Sequence, residues 1–235
     1  MIATEDIVAE DQRGWLAIGW FTPDYRPLAE TFAANLDQHG VPYHLFAKPA
    51  LDGGWDTRRK PSVVLEAMSR YPSKTLVLMD VDCIVRGDIT PVVVGDGADV
   101  GFTIKARPVS GRDRQSRKRV TLTVSSRVAV FRPTDGARAF VREWERLCDR
   151  AGAGGDEEHM VWAYLLRPDI SYVQIDQRYA GREVSGDVEN AIIVHNSVHD
   201  KAEQAWWSPM PALKAFERRW LRTGHTKAAM DHRIG

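Results

Sequence analysis

Residues 74–89 read Lys74-Thr75-Leu76-Val77-Leu78-Met79-Asp80-Val81-Asp82-Cys83-Ile84-Val85-Arg86-Gly87-Asp88-Ile89. Thr75 to Met79 form a short apolar run, with Pro72 and Ser73 before it and acids after it. The run is too short for a helix and directly follows a helical segment, so it reads as a buried strand. Two carboxylates then stand at i and i+2, a spacing that puts side chains on one side of an extended chain. The expected product is a pair of hard oxygen ligands at the carboxyl end of a core strand. In open α/β sheets that is the end where ligands bind.

Three readings of Asp80 and Asp82 compete. In the first, both hold a divalent cation that in turn holds a phosphate or diphosphate. In the second, Asp80 is a nucleophile and Asp82 a general acid, as in the haloacid-dehalogenase-like phosphatases. In the third, the acids simply mark where a strand leaves the core for solvent. The motif alone does not choose, and the rest of the chain has to.

Upstream, Trp15 to Phe21 reads as a first strand that ends at the turn Thr22-Pro23-Asp24. Asp24 is placed to cap the following helix, whose apolar positions Leu28, Phe32 and Leu36 recur at helical spacing. Gly40 stops that helix, and Val41 to Phe46 is a second strand with Pro42 near its start. A helix from Ser62 to Arg70 follows, with Val64, Leu65 and Met68 facing inward, and leads into the Asp-x-Asp strand. The order β-α-β-α-β predicts a parallel sheet covered by helices.

Downstream, Ala98 to Lys105 and Val120 to Phe131 read as strands. Between Lys105 and Arg119, seven cationic residues face one acid, Asp113. With Gly and Pro interspersed and no period, this segment is expected to be a loop over the site, its charge turned toward a phosphate or an acidic acceptor. Gly136 to Arg150 is an amphipathic helix with Phe140, Trp144 and Leu147 on one face. Asp156-Glu157-Glu158 opens another helix, a position that the helix dipole favours for acids in any case. Ile170 to Ile175 and Ala191 to Val194 are late strands, and the last one delivers His195.

A chain of 235 residues with 43% apolar and 27% charged residues is ordinary for a globular protein. Its formal net charge is zero, which excludes nucleic-acid binding driven by bulk electrostatics. Cys83 and Cys148 do not make a disulfide framework. The acidic N-terminus lacks a signal-peptide core, and no stretch reaches membrane-spanning length, so the expected compartment is cytoplasmic. The tail, residues 206–235, carries Trp206, Trp207 and Trp220 among Lys214, Arg218, Arg219, Arg222 and Lys227. A basic, Trp-bearing helix of that kind can make peripheral contact with an anionic membrane, although packing on the domain is the commoner arrangement. The expected organisation is one domain over 1–205 followed by this tail.

His195 follows a buried apolar strand, as the aspartates do. A cation held by two carboxylates lacks ligands, and an imidazole from a neighbouring strand end completes a mixed oxygen and nitrogen set suited to Mn2+ or Mg2+. Lys201, six residues on, is placed to reach phosphate oxygens as a point charge.

With these residues in view, the chain resembles the nucleotide-sugar glycosyltransferases of the GT-A fold. The resemblance is nearest to the metal-dependent branch that includes glycogenin and bacterial lipopolysaccharide galactosyltransferases. It rests on the leading β-α-β, Lys60-Pro61 before the second helix, Asp80-Val81-Asp82, Asp156-Glu157 opening a late helix, and His195-x5-Lys201. It implies an α/β fold with a mostly parallel, Rossmann-like central sheet flanked by helices, and an enzyme. Asp80, Asp82 and His195 would hold Mn2+ (or Mg2+) bridging the donor diphosphate, with Lys201 on that diphosphate and Arg59 or Lys60 adding charge. Thr22 and Tyr25 would sit by the nucleobase and ribose. The donor would be a nucleotide diphosphate sugar, a UDP-sugar first, and the acceptor a glycan, a lipid-linked group or a small molecule.

The chain departs from the family in three places. Val198 stands where glycine is usual, and Ala202-Glu203 where Pro-Trp is. Glu157 stands where an amide is usual, and a carboxylate there is able to stabilise or attack an oxocarbenium-like centre. Asp156 would bind acceptor hydroxyls or act as a base, and Glu158 is a third acid able to share either role. Two other readings remain at this point: the phosphatase, and a transferase-like module that binds a nucleotide or glycan without turnover.

Overall fold

The apolar run Thr75–Met79 is a strand over those same residues, and every one of them is buried. In the computed structural model, which describes residues 5–49, 57–94, 97–108, 120–150, 155–182 and 189–195, this strand is β4 of ten. The other strands are β1 (Ile7–Ala9), β2 (Trp15–Phe21), β3 (Tyr43–Ala47), β5 (Cys83–Val85), β6 (Val100–Pro108), β7 (Val120–Phe131), β8 (Tyr172–Gln174), β9 (Gly181–Arg182) and β10 (Ile193–His195). The helices are α1 (Arg26–Gln38), α2 (Lys60–Arg70), α3 (Thr90–Val94), α4 (Asp135–Arg150) and α5 (Asp156–Leu166). All described residues fall in one unit, Met1–Asn196.

Seven strands form one sheet in the order β1-β3-β2-β4-β7-β6-β8. β2 runs parallel to β3 and β4, and β8 parallel to β6, whereas β7 is antiparallel to both β4 and β6. β1 is antiparallel to β3. Five of the seven strands therefore share one direction, and the sheet is mostly parallel with β1 and β7 reversed. The mostly parallel α/β architecture is the expected one; the two reversals come from pairings that apolar runs do not encode.

Alternation along β4 explains its continuous apolar run. Leu76 and Leu78 enter one core with Phe131, Phe140, Trp144 and Met160, beneath α2, α4 and α5. Val77 and Met79 enter the other, with Phe32 and Leu36 of α1. A strand buried on both faces has no position for a polar residue until it leaves the sheet. Each fully buried Leu or Phe contributes about 1.5–3 kcal/mol.

Two local expectations are corrected. Asp24 does not cap α1, whose capping position is Tyr25 with no side-chain cap bond. Asp24 instead lies in a 3-10 turn, Pro23–Tyr25, and accepts a hydrogen bond from the Thr22 hydroxyl. Secondly, α2 starts at Lys60 rather than Ser62, with Pro61 in its first turn, where a missing N–H costs nothing. Gly40 does stop α1, at φ +59°, a left-handed conformation that glycine adopts without penalty.

A second sheet, of order β5-β10-β9, is not evident from periodicity because its strands have only two or three residues. Its register places His195 opposite Cys83. The Asn35 amide of α1 bonds both backbone groups of Val85, at 2.7 and 3.0 Å, and so holds β5 from the side away from β10. The cationic segment begins as strand, since β6 runs to Pro108. Its remainder, 109–119, lies outside the described residues, as do Lys201 and the tail 206–235. No helix among the described residues is long and apolar enough to cross a membrane.

Candidate active site

The chain turns sharply as it leaves β4. The Asp80 amide donates to the Arg127 carbonyl at 3.1 Å, and the Cys83 amide returns to the Asp80 carbonyl at 2.9 Å. Asp80 and Asp82 are therefore brought together by a turn, not by the alternation of an extended strand. Gly19 of β2 makes room for it: a Cβ there would stand 2.9 Å from the Met79 carbonyl and 3.4 Å from a Val81 methyl.

His195 closes the group. Its Nε2 lies 3.1 Å from Asp82 Oδ1 and 3.7 Å from Asp80 Oδ2. One ligand atom from each of the three residues falls within 4.8 Å of the other two. A hard cation bonded at about 2.1 Å places neighbouring ligands about 3 Å apart, so the separations suit Mg2+ or Mn2+. The donor set, two carboxylates and one imidazole, suits them as well. His195 Nε2 is the nitrogen that faces the two aspartates, and Nδ1 is buried with no hydrogen-bond partner among the described residues.

Lys60 locks the other side of Asp80. Its side chain, 4% exposed, puts Nζ 2.8 Å from Asp80 Oδ1, 3.1 Å from Asp156 Oδ2 and 3.0 Å from Ser126 Oγ. Burial alone would lower its pKa, but the carboxylates of Asp156 and Asp80 reverse this and hold it well above the ordinary lysine value. Burial also pushes Asp80 up, and Lys60 and His195 together hold it below the usual carboxylate range. Ser126 Oγ donates to Asp156 Oδ2, and Trp144 Nε1 donates to the Asp156 carbonyl at 2.9 Å. These contacts fix the first turn of α5 against the end of β4.

The three acids of α5 thus divide. Asp156 is buried at 5% and engaged with Lys60 and Ser126. Glu157 keeps 44% of its side chain exposed, accepts from the Ser126 amide at 3.3 Å, and lies 3.6 Å from Arg127 Nε. Glu158 is half-buried in the same turn.

Thr22 and Tyr25 follow β2, which is parallel to and paired with β4, so they stand on the same edge of the sheet as Asp80. Thr22 is buried and its hydroxyl is engaged by Asp24. Arg59 ends a 3-10 turn, Thr57–Arg59, ahead of α2, with Nη1 3.5 Å from the Pro49 carbonyl. The structure brings Asp80, Asp82, His195, Lys60, Asp156 and Glu157 together and engages the Lys60 ammonium with carboxylates. Ser126 and Arg127 belong to the same cluster and were not anticipated. The hint was a polar triplet, Ser125-Ser126-Arg127, inside an otherwise apolar strand.

Neither a protein-family model nor a curated protein sequence matches this chain. Solved structures share its architecture. One is a glycosyltransferase involved in the glycosylation of the major capsid of PBCV-1, with TM-score 0.57, 14% identity, and coverage of 79% of this chain and 95% of that one. The chain carries the GT-A fold. GlyE of Streptococcus pneumoniae TIGR4 shares the GT-A fold at TM-score 0.55 and 13% identity, over 80% of this chain and 55% of its own. The galactosyltransferase LgtC, solved in complex with donor and acceptor sugar analogues, does so at TM-score 0.50 and 10% identity, over 77% and 87%.

Proposed function

We propose that the chain is a metal-dependent glycosyltransferase that moves a sugar from a nucleotide diphosphate sugar, a UDP-sugar first, to a glycan, lipid-linked or small-molecule acceptor. The observation that carries this is the convergence of Asp80, Asp82 and His195 on one point at the carboxyl end of β4 within a GT-A fold. Bound there, Mn2+ or Mg2+ would neutralise charge developing on the leaving diphosphate.

The chain's own residues do the remaining work. Lys60 keeps Asp80 ionised and oriented toward the cation site, and joins it to Asp156. The contacts of Asp156 with Lys60 and Ser126 support a positioning role for it, with Glu157 as the acid presented to the reacting sugar. Glu157 would stabilise positive charge at the anomeric carbon as the diphosphate departs. Lys201 and Arg59 are assigned to the diphosphate, and Thr22 and Tyr25 to the nucleoside. The phosphatase alternative is disfavoured because Asp80 follows a complete β-α-β-α and stands beside His195, for which that chemistry has no use.

The test is release of nucleoside diphosphate from a panel of nucleotide sugars, with and without Mn2+. The reading expects metal-dependent release from one donor. Metal-independent release, or release of inorganic phosphate from phosphate monoesters instead, would overturn it.

A further inference from the structure

The inference concerns Arg127 and rests on the glycosyltransferase reading. The pairing of β6 with β7 slips at one place: Phe102 faces Ala129, while the next residue, Thr103, faces Ser125. Ser126, Arg127 and Val128 are left without partners on β6, and β7 bulges there beside the site. Bulges re-aim side chains and gather next to active sites. This one lets two consecutive residues meet the first turn of α5, Ser126 through Asp156 and Arg127 through Glu157.

Arg127 is incompletely matched. Nε donates to Ser125 Oγ at 2.9 Å and lies 3.6 Å from Glu157 Oε1. Nη1 is buried and has no hydrogen-bond partner among the described residues. A guanidinium stays charged at all working pH values, so its N–H groups always call for acceptors. A buried donor without one is unfavourable until an acceptor arrives. The Arg127 side chain is 12% exposed while Glu157 beside it is 44% exposed, so the pair opens at the carboxylate.

We propose that Arg127 is a specificity-determining residue: its Nη1 donates to an oxygen of the transferred sugar, while its positive charge, 3.6 Å from Glu157 Oε1, holds that carboxylate at the reacting centre. A site built to hydrogen-bond a substrate oxygen rejects ligands that lack it, because the buried donor is then left unmatched. The contribution falls on the sugar and not on the nucleotide.

The experiment is calorimetric titration, in Mn2+, of UDP, UDP-glucose, UDP-galactose, UDP-N-acetylglucosamine and UDP-glucuronate into wild type, Arg127→Met and Arg127→Lys. Arg127→Met is expected to bind UDP as wild type does and to lose about tenfold or more in affinity for the preferred sugar nucleotide. Arg127→Lys keeps the charge and most of the volume. It is expected to show the same selective loss to a smaller extent, and it decides the matter if the methionine variant does not fold. Equal loss for UDP and the sugar nucleotide would reduce Arg127 to a structural residue and overturn the proposal, as would unchanged binding of both. Wild type that binds neither UDP nor any sugar nucleotide would overturn the glycosyltransferase reading itself, and this proposal with it.

Discussion

The Lys60 ammonium lies 2.8 Å from Asp80 Oδ1 in a position 3% exposed to solvent, with Asp156 as its second carboxylate. The cation of this buried group comes from the first residue of α2, and its two anions from the end of β4 and the start of α5. Three elements distant in sequence are thereby fixed to one another beside Asp82 and His195, the other two members of the candidate cation site.

Removing this cation leaves the buried Asp156 carboxylate and the partly buried Asp80 carboxylate without the charge between them. Lys60→Met is expected to lower unfolding stability by about 3–5 kcal/mol, a large part of the total for a domain of this size. Adding Asp156→Asn to it should restore part of the loss. Urea unfolding of the single and double variants measures both, and a loss below about 1 kcal/mol for Lys60→Met would mean that the ion group contributes little.

Gly19 sets how closely β2 and the end of β4 approach. A Cβ 2.9 Å from the Met79 carbonyl forces backbone to move immediately before Asp80. Gly19→Ala is expected to cost about 1–3 kcal/mol and to weaken Mn2+ binding. Gly14→Ala is the control, since a Cβ there meets nothing within 4 Å. Equal behaviour of the two variants in thermal unfolding and Mn2+ titration would remove Gly19 from the account of the site.

His44 sets an acid limit on the fold. It is fully buried on β3, with Nε2 2.7 Å from Asp6 and Nδ1 2.7 Å from the Tyr71 hydroxyl. Burial lowers its pKa below 6.5 and outweighs the pull of Asp6. The unfolded chain therefore binds a proton that the fold refuses once pH drops through 6.5, and stability falls from there toward the lower, folded pKa. The slope is at most about 1.4 kcal/mol per pH unit. His44→Gln should flatten this part of the stability profile, and an unchanged slope in the variant would place the acid limit elsewhere.

Legibility in the sequence followed the range of the interactions involved. The strand Thr75–Met79 was legible residue for residue because an apolar run bounded by acids reports burial directly. The trio Asp80, Asp82 and His195 was legible because each residue stands at the exit of such a run. The turn that joins the two aspartates was not, because i and i+2 residues share a side in a strand and can also be gathered by a turn. Lys60 illustrates another limit: its charge suggested a phosphate ligand, and only the tertiary structure shows Asp156, 96 positions away, as its partner. Arg127 stayed hidden because a bulge depends on the register between strands, which no single segment specifies.

The most direct test of the metal-site assignment is titration of UDP into wild type and Asp82→Asn, each in Mn2+ and in EDTA. Altering residues that only support a metal ligand costs 10–100-fold in metal affinity, so loss of a ligand should cost about a hundredfold or more. The account predicts UDP binding by wild type in Mn2+ alone, and none in EDTA or in the variant, whose thermal unfolding stays close to that of wild type. UDP binding of equal strength in EDTA, or in Asp82→Asn, would contradict it.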